Sequence, residues 1–337
     1  MENCGRKRKL IIQIPCLNEA KTLGIALAEL PRSVPGIDKV EILIVDDGST
    51  DSTLERARAW AEKDERIAVL HQENAGATAA RLRGLRAARG EFVLYLDADD
   101  AWEPDLLPRV DEGLCKSGAD LLMFAFRRVP GKEEHPFPAE GWIERETWTQ
   151  KLISSSAVNM VWDKAVRREI ALACQIGEEH EGVAEDLLMV LPILDRVGRF
   201  YYIDQPLYRY RAVLDSRSNA FRPNRHKEID AARAQVLEYL VDKDLNDEAT
   251  LARFYTLYVD RMLDCLSRAI RAGASRSQRR QLFRDVRGFA LFQMARFYPL
   301  DLPLCRRAMR ALVAWRLDGA YAFLVRRQAK AQNRARC

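Results

Sequence analysis

The chain has 337 residues, 54 Lys+Arg against 49 Asp+Glu, and 48% hydrophobic residues. That supports a sizeable core in about two domains and excludes a chain disordered throughout. Its longest uncharged stretch, Leu152 to Trp162, is far shorter than the roughly 20 apolar residues of a membrane-crossing helix, and its seven scattered cysteines form no C-x-x-C pair for zinc.

The first 130 residues alternate short apolar runs with helical patterns. Leu10–Ile14 reads as a strand stopped by Pro15, and Lys21–Leu30 has helical periodicity. Val40–Val45 is a β-branched strand leading into Asp46-Asp47-Gly48-Ser49-Thr50, where Ser49 or Thr50 is expected to cap a helix running to Lys63. Ile67–Leu70 is a further strand, Ala75–Ala88 an alanine-rich helix, and Phe92–Leu96 a strand that ends in Asp97-Ala98-Asp99-Asp100. This alternation predicts an α/β fold, a Rossmann-like, mostly parallel sheet flanked by helices. Pro130, Pro136 and Pro138 mark a loop, and an apolar segment, Leu187–Leu194, follows the acidic stretch Glu178–Asp186. From about Arg225 the pattern is helical, interrupted near Gly273 and at Pro299 and Pro303. The expected organisation is an α/β domain over 1–220 and an α-helical C-terminal region over 221–337, basic from about residue 276.

The polar clusters fall at strand ends, where ligands of such sheets gather. Two carboxylates one residue apart, Asp97 and Asp99, offer hard oxygen ligands suited to Mg²⁺ or Mn²⁺ when phosphate completes the shell. A solvated acidic turn has the same composition. Asp46-Asp47-Gly48-Ser49 fits a common turn as well as a carboxylate that accepts from a nucleobase or ribose. No G-x-G-x-x-G follows the first strand, which argues against a dinucleotide-dependent oxidoreductase.

In order along the chain, IPCLNEAKTL (Ile14–Leu23), VDDGSTDST (Val45–Thr53), NAGATAAR (Asn74–Arg81), GEFVLYLDADD (Gly90–Asp100) and AEDLL (Ala184–Leu188) resemble the family-2 nucleotide-sugar glycosyltransferases, which have the GT-A fold. WDKAVRREI (Trp162–Ile170) and PLYRYR (Pro206–Arg211) resemble segments of the bacterial surface-polysaccharide branch. The resemblance implies an inverting, divalent-metal-dependent transferase that moves a sugar from a nucleotide-sugar, UDP-linked by expectation, to a glycan or lipid-linked glycan. It places Pro15, Leu17, Glu19, Asp47, Arg81 and Asp97 around the donor, Asp97 and Asp99 on Mn²⁺ or Mg²⁺, and Asp186 as the general base, with Glu185 second to it. Arg81 is equally readable as a salt-bridge residue, Arg209 and Arg211 as exposed positions of a strand, and Lys164 as structural. Leu17 stands where many relatives have a tyrosine, and Leu82 where they have an asparagine, which alters the expected donor-site contacts. Of the four histidines only His180, close to Asp186 in sequence, is a candidate for the acceptor site.

The formal charge of +5 conceals a polarity. Residues 276–337 carry 15 basic and 3 acidic side chains, a net of +12, which leaves −7 for the rest. In Leu304–Arg327 apolar residues alternate in clumps with arginines, as in helices that lie on anionic membranes. A helical cap with a solvated arginine face fits the same pattern. A nucleic-acid partner is disfavoured, because the aromatic residues there lie at helical spacing among apolar positions. The basic N-terminal stretch Met1–Leu10 lacks an apolar run, so the expected location is cytoplasmic, with peripheral docking on the inner face of a membrane as the companion of the basic tail. The alternative to an enzyme is a protein that binds membrane or nucleic acid through its tail, with a non-catalytic nucleotide-binding domain.

Overall fold

The computed structural model describes residues 9–31, 33, 37–155, 158–174, 185–211 and 222–334. The chain divides into two compact units. Of the described residues, the first holds those up to 151 with 158–174 and 185–211, and the second holds 222–334 together with 152–155.

The first unit is built on one sheet. Its strands are β1 (Lys9–Cys16), β2 (Lys39–Asp47), β3 (Ile67–Gln72), β4 (Phe92–Tyr95), β5 (Ala101–Trp102), β6 (Leu121–Val129), β7 (Glu133–Glu134), β8 (Gly141–Trp142), β9 (Lys164–Arg167) and β10 (Phe200–Arg211). The helices between them are α1 (Leu23–Glu29), α2 (Thr53–Ala61), α3 (Ala77–Ala87), α4 (Leu106–Ser117), α5 (Arg145–Ser154, whose last residues group with the second unit), α6 (Arg168–Ala173) and α7 (Glu185–Arg196). The strand order is β3-β2-β1-β4-β9-β6-β10-β5, with β7 beside β6 and β8 beside β10. β3, β2, β1 and β4 run parallel, as do β6 and β10, while β9 runs antiparallel between β4 and β6. Ile12, Ile14, Ile44, Val45, Val93 and Leu94 are buried. Such near-continuous apolar runs are what a sheet covered on both faces requires.

The order β2-β1-β4 matters for function. The chain leaves β1 toward β2 and β3 and returns to β4 on the other side, so the carboxyl ends of β1 and β4 flank a topological switch point, where a crevice opens. Pro15–Glu19 and Asp97–Asp100 follow those two strands.

The expected cap of the second helix is corrected. The helix starts at Thr53 after Ser52. Ser49 Oγ instead accepts from the Asn18 N–H at 2.9 Å, and Asn18 Oδ1 accepts from the Thr50 N–H at 2.8 Å. The Asp51 carboxylate takes over the first turn, accepting from the Thr53 N–H at 3.0 Å. These bonds tie the loop after β1 to the loop after β2, a tertiary use of hydroxyls that local pattern does not reveal.

The second unit is helical: α8 (Arg225–Asp242), α9 (Glu248–Arg271), α10 (Arg276–Gly288), α11 (Ala290–Met294), α12 (Leu304–Ala314) and α13 (Asp318–Arg334), with a 3₁₀ turn at Ala295–Phe297. α9 is its centre; Phe254, Tyr258, Val259, Met262, Leu263 and Leu266 are all buried. The Asp247 side chain caps its start, and a Ser275–Gln278 capping box starts α10. The amphipathic stretch Leu304–Arg327 falls on two helices, α12 and the start of α13. Arg316 takes φ 60°, the Arg316 N–H donates to the Val313 carbonyl and the Leu317 N–H to the Leu312 carbonyl. That is the Schellman ending of a helix, with arginine where glycine is usual.

Candidate active site

The site begins with Arg81, which the third helix α3 carries into the crevice. Its guanidinium is buried, and its two terminal nitrogens reach different carboxylates: Nη2 donates to Asp97 Oδ1 at 3.0 Å and Nη1 to Asp186 Oδ1 at 2.9 Å. Asp97 follows β4, and Asp186 lies in the first turn of α7, residues 105 apart from Arg81 in sequence. One planar cation thus holds the proposed donor carboxylate and the proposed base in a fixed relation, a use for which a guanidinium fork is suited.

The position of Arg81 is itself built. The buried Gln13 side chain donates to the Arg81 carbonyl at 2.6 Å. A Cβ on Gly84, one turn further along α3, would come within 1.5 Å of the Gln13 amide nitrogen. The absence of a side chain at Gly84 therefore lets β1 grip α3.

Asp97, Asp99, Asp100 and Glu19 make the crevice strongly acidic. Burial pushes Asp99 up to about 6, helped by the charges of Asp97 and Glu19, while Arg211 acts the other way. Glu19 is raised by burial, with Asp97 and Asp51 adding to the effect. Asp100 is raised well above the carboxylate range by burial and by its two neighbours, although it accepts from the Tyr208 hydroxyl at 2.8 Å and the Arg211 N–H at 2.7 Å. Those bonds anchor the end of β10 to the acidic turn. Asp99 and the second oxygen of Asp97 accept from no side chain among the described residues. Among those residues no three acid, histidine or cysteine groups gather closely enough to hold a metal unaided.

Asp186 is pushed up to about 6 by burial; Asp97 and Glu185 add to the rise, and Arg81 and Lys164 oppose it. Lys164 and Asp163 form a fully buried ion pair beneath it, and the Lys164 ammonium also donates to the Met160 carbonyl. Trp162 stacks on Tyr208 at 4.3 Å and meets Phe126 edge-on at 4.8 Å, which fixes the entry to β9 and hence this pair. Asp163 and Asp100 are site-shaping acids that motif reading did not single out. Their signals were the W-D-K segment and the third acid of D-A-D-D.

Asp47 is almost fully enclosed. Its Oδ1 accepts from Gln72 Nε2 at 2.7 Å and the Ala75 N–H at 2.9 Å, and its Oδ2 from the Gly76 N–H at 2.9 Å. Three of roughly four acceptor positions thus hold the loop that starts α3. Pro15, Leu17 and Glu19 line the end of β1 and are partly exposed. Asp46, on the other face of β2, binds His71 Nδ1 at 2.8 Å. Arg209 and Arg211 both reach Glu29 of α1, at 2.8 and 3.0 Å. His135 pairs with Asp204 and His226 with Asp285. His180 lies outside the described residues.

Residues 11–171, which contain the β1-to-β4 crevice and Arg81, match the model of glycosyl transferase family 2. Over this stretch, just under half of the chain, the sequence is similar to that family. It is 29% identical to the cholesterol galactosyltransferase of Borreliella burgdorferi over 222 residues, 62% of this chain and 61% of that one. It is 30% identical to the glycosyltransferase YibD of Escherichia coli over 216 residues, 60% of this chain and 61% of that one. The chain thus spans about 60% of the length of these relatives. A crystal structure of S. aureus TarS 1-349 in complex with UDP-GlcNAc superimposes with a TM-score of 0.63 at 17% identity, covering 96% of this chain and 92% of that one. The shared fold is the GT-A arrangement of a central sheet flanked by helices with a helical C-terminal region.

Proposed function

We propose that this chain is a family-2, inverting glycosyltransferase that moves a sugar from a nucleotide-sugar, UDP-linked, to a glycan or lipid-linked glycan in surface polysaccharide synthesis. The observation that carries the reading is the Arg81 bridge, which ties the acid after β4 to the acid that starts α7 across one crevice. The donor follows from the family and from the UDP-GlcNAc bound by TarS, a protein of the same fold. The basic helical tail supports a lipid-linked acceptor and a location at the inner face of a membrane.

In this reading Pro15 and Leu17 line the nucleobase, and Asp47 accepts from it with the one lone pair that Gln72, Ala75 and Gly76 leave. The residues fit a divalent cation. Asp97 Oδ2 and Asp99 are hard oxygen donors without a proton source among the described side chains, and burial with like charges raises Asp99, a cost that a cation would relieve. Mn²⁺ or Mg²⁺ held by Asp97 and Asp99 would neutralise the diphosphate leaving group. Glu19 stands beside these acids and orders the β1 loop through Thr22.

Asp186 acts as general base and takes the proton of the acceptor hydroxyl. Arg81 holds one of its oxygens at 2.9 Å, which leaves the other free to face the acceptor. The acceptor oxygen, giving its proton to Asp186, attacks the anomeric carbon from the side opposite the diphosphate; the new glycosidic bond forms as the bond to the diphosphate oxygen breaks, which inverts that carbon in a single displacement.

Thermal shift with UDP-sugars tests the donor site. The wild-type protein is expected to be stabilised by a UDP-sugar with Mn²⁺ or Mg²⁺ and far less by the sugar nucleotide with chelator. Asp99→Asn is expected to lose the metal-dependent part. Equal stabilisation of both proteins with and without metal would contradict the assignment of Asp99.

A further inference from the structure

The outward side of α12 is apolar where a solvent-facing helix would be charged. Leu304, Ala308, Ala311 and Trp315 follow one another at helical spacing along it. Leu304 is 84% exposed and Trp315 72%, while Met309 and Val313, on the opposite side, are buried against the helical unit. The same pattern continues beyond the turn: in α13 Tyr321 and Val325 are buried, and Phe323, 65% exposed, points away with the exposed Arg326 and Arg327 near it on the helix. Six of the eleven large apolar side chains that stay well exposed among the described residues lie between Met294 and Phe323. That clustering distinguishes the surface from the scattered apolar residues any protein exposes.

Beside this line is an open cavity of about 700 Å³ walled by Pro299, Leu300, Ala314, Trp315, Arg307 and Arg310. Two neighbouring arginines are committed to acids: Arg306 pairs with Asp260 at 2.9 Å and Arg287 with Asp318 at 2.6 Å. Arg307 and Arg310 are different. Among the described residues they donate only to backbone carbonyls, Arg307 to Leu302 at 2.7 Å and Arg310 to Ala295 at 3.1 Å. Burial alone acts on the Arg310 guanidinium, and no carboxylate offsets it. Asp301 is the one acid among the residues that line the cavity.

An apolar helix face with an aromatic residue at its end and adjoining guanidinium groups without acid partners matches one occupant by shape and charge. We propose that the outward face of α12, with the Arg307/Arg310 cavity beside it, is the surface by which the chain docks on an anionic lipid bilayer, Leu304 and Trp315 entering the headgroup layer and the two arginines binding lipid phosphate. A helix lies in such an interface by burying an apolar face while basic groups meet the anionic headgroups. A second copy packed through this same surface would meet its own basic side chains, since residues 276–337 carry 15 basic and 3 acidic ones. The proposal rests on the membrane placement given above and not on the transfer chemistry.

Co-sedimentation of the full chain with phosphatidylcholine vesicles, with and without phosphatidylglycerol, tests it. Wild-type protein is expected to pellet only with the anionic vesicles and to be released by salt. Arg307→Gln/Arg310→Gln is expected to weaken binding about thirtyfold, and Leu304→Gln/Trp315→Gln by at least about tenfold. All four side chains lie outside the core, so both variants should melt like the wild type. Pelleting of all three proteins alike, no pelleting of the wild type, or a dimer in solution that Leu304→Gln/Trp315→Gln dissolves would each overturn the proposal. Donor hydrolysis measured without vesicles separates the two readings. It should be the same in all three proteins, and its absence from all of them would count against the transferase while leaving the lipid result standing.

Discussion

Arg81 decides more at this site than any acid does. It is a single charge between two carboxylates, so its removal leaves Asp97 and Asp186 facing each other uncompensated. Breaking a buried pair from one side costs about 3–5 kcal/mol; because both acids are about a quarter exposed, the lower end of that range or less is expected here. The consequence for pH is specific. Asp186 is raised to about 6, so its carboxylate is the majority form above that value, and transfer should fall as pH drops through about 6. Arg81→Gln removes the larger of the two influences that lower it. The acid limb of the kcat/KM profile should then move to higher pH, with the plateau also reduced. A limb that stayed in place would show that Asp186 is not the group being titrated. The motif N-A-G-A-T-A-A-R made Arg81 visible as a donor-site residue or a salt bridge. Its second partner was not visible, because a contact across 105 residues has no local signature.

At the scale of elements, periodicity and strand-end composition carried the reading well for the first 100 residues. β1 to β4 and α1 to α3 fall on the expected stretches because each is a local apolar pattern closed by a local breaker. β9 and β10 were less readable. Their pairing depends on contacts such as the Trp162–Tyr208 stack at 4.3 Å, and the Arg209 and Arg211 side chains turn to Glu29 instead of projecting freely. The N-cap at Ser49 or Thr50 failed for the same reason, since Asn18 competes for those groups. Gly84 shows how an element is set by a residue that periodicity treats as a helix flaw. Gly84→Ala should gain a few tenths to about 1 kcal/mol of helix propensity, yet its Cβ would collide with the buried Gln13 amide. The overpacking term, about 1–3 kcal/mol, wins. A lowered Tm by chemical or thermal denaturation is expected, with loss of activity because Arg81 shifts with its helix. An unchanged or raised Tm would mean that Gln13 yields without cost.

For the molecule as a whole, the near-neutral charge resolves into two chemically different parts. The −7 portion outside residues 276–337 contains the acids of the crevice, which would tolerate an anionic diphosphate only with a cation between them. The +12 portion spends part of its charge on pairs such as Arg287–Asp318 and Arg306–Asp260 and leaves Arg307 and Arg310 beside an apolar helix face. Composition disclosed that polarity, but only the folded helices distinguish which arginines are committed. The proposed role of Asp186 as the base of an inverting transfer is tested by the rate of sugar transfer by Asp186→Asn, measured alongside donor binding. Donor affinity within a few-fold of wild type and a kcat lower by about 10²–10⁴ are expected. A kcat near that of the wild type, with the donor bound normally, would contradict that role.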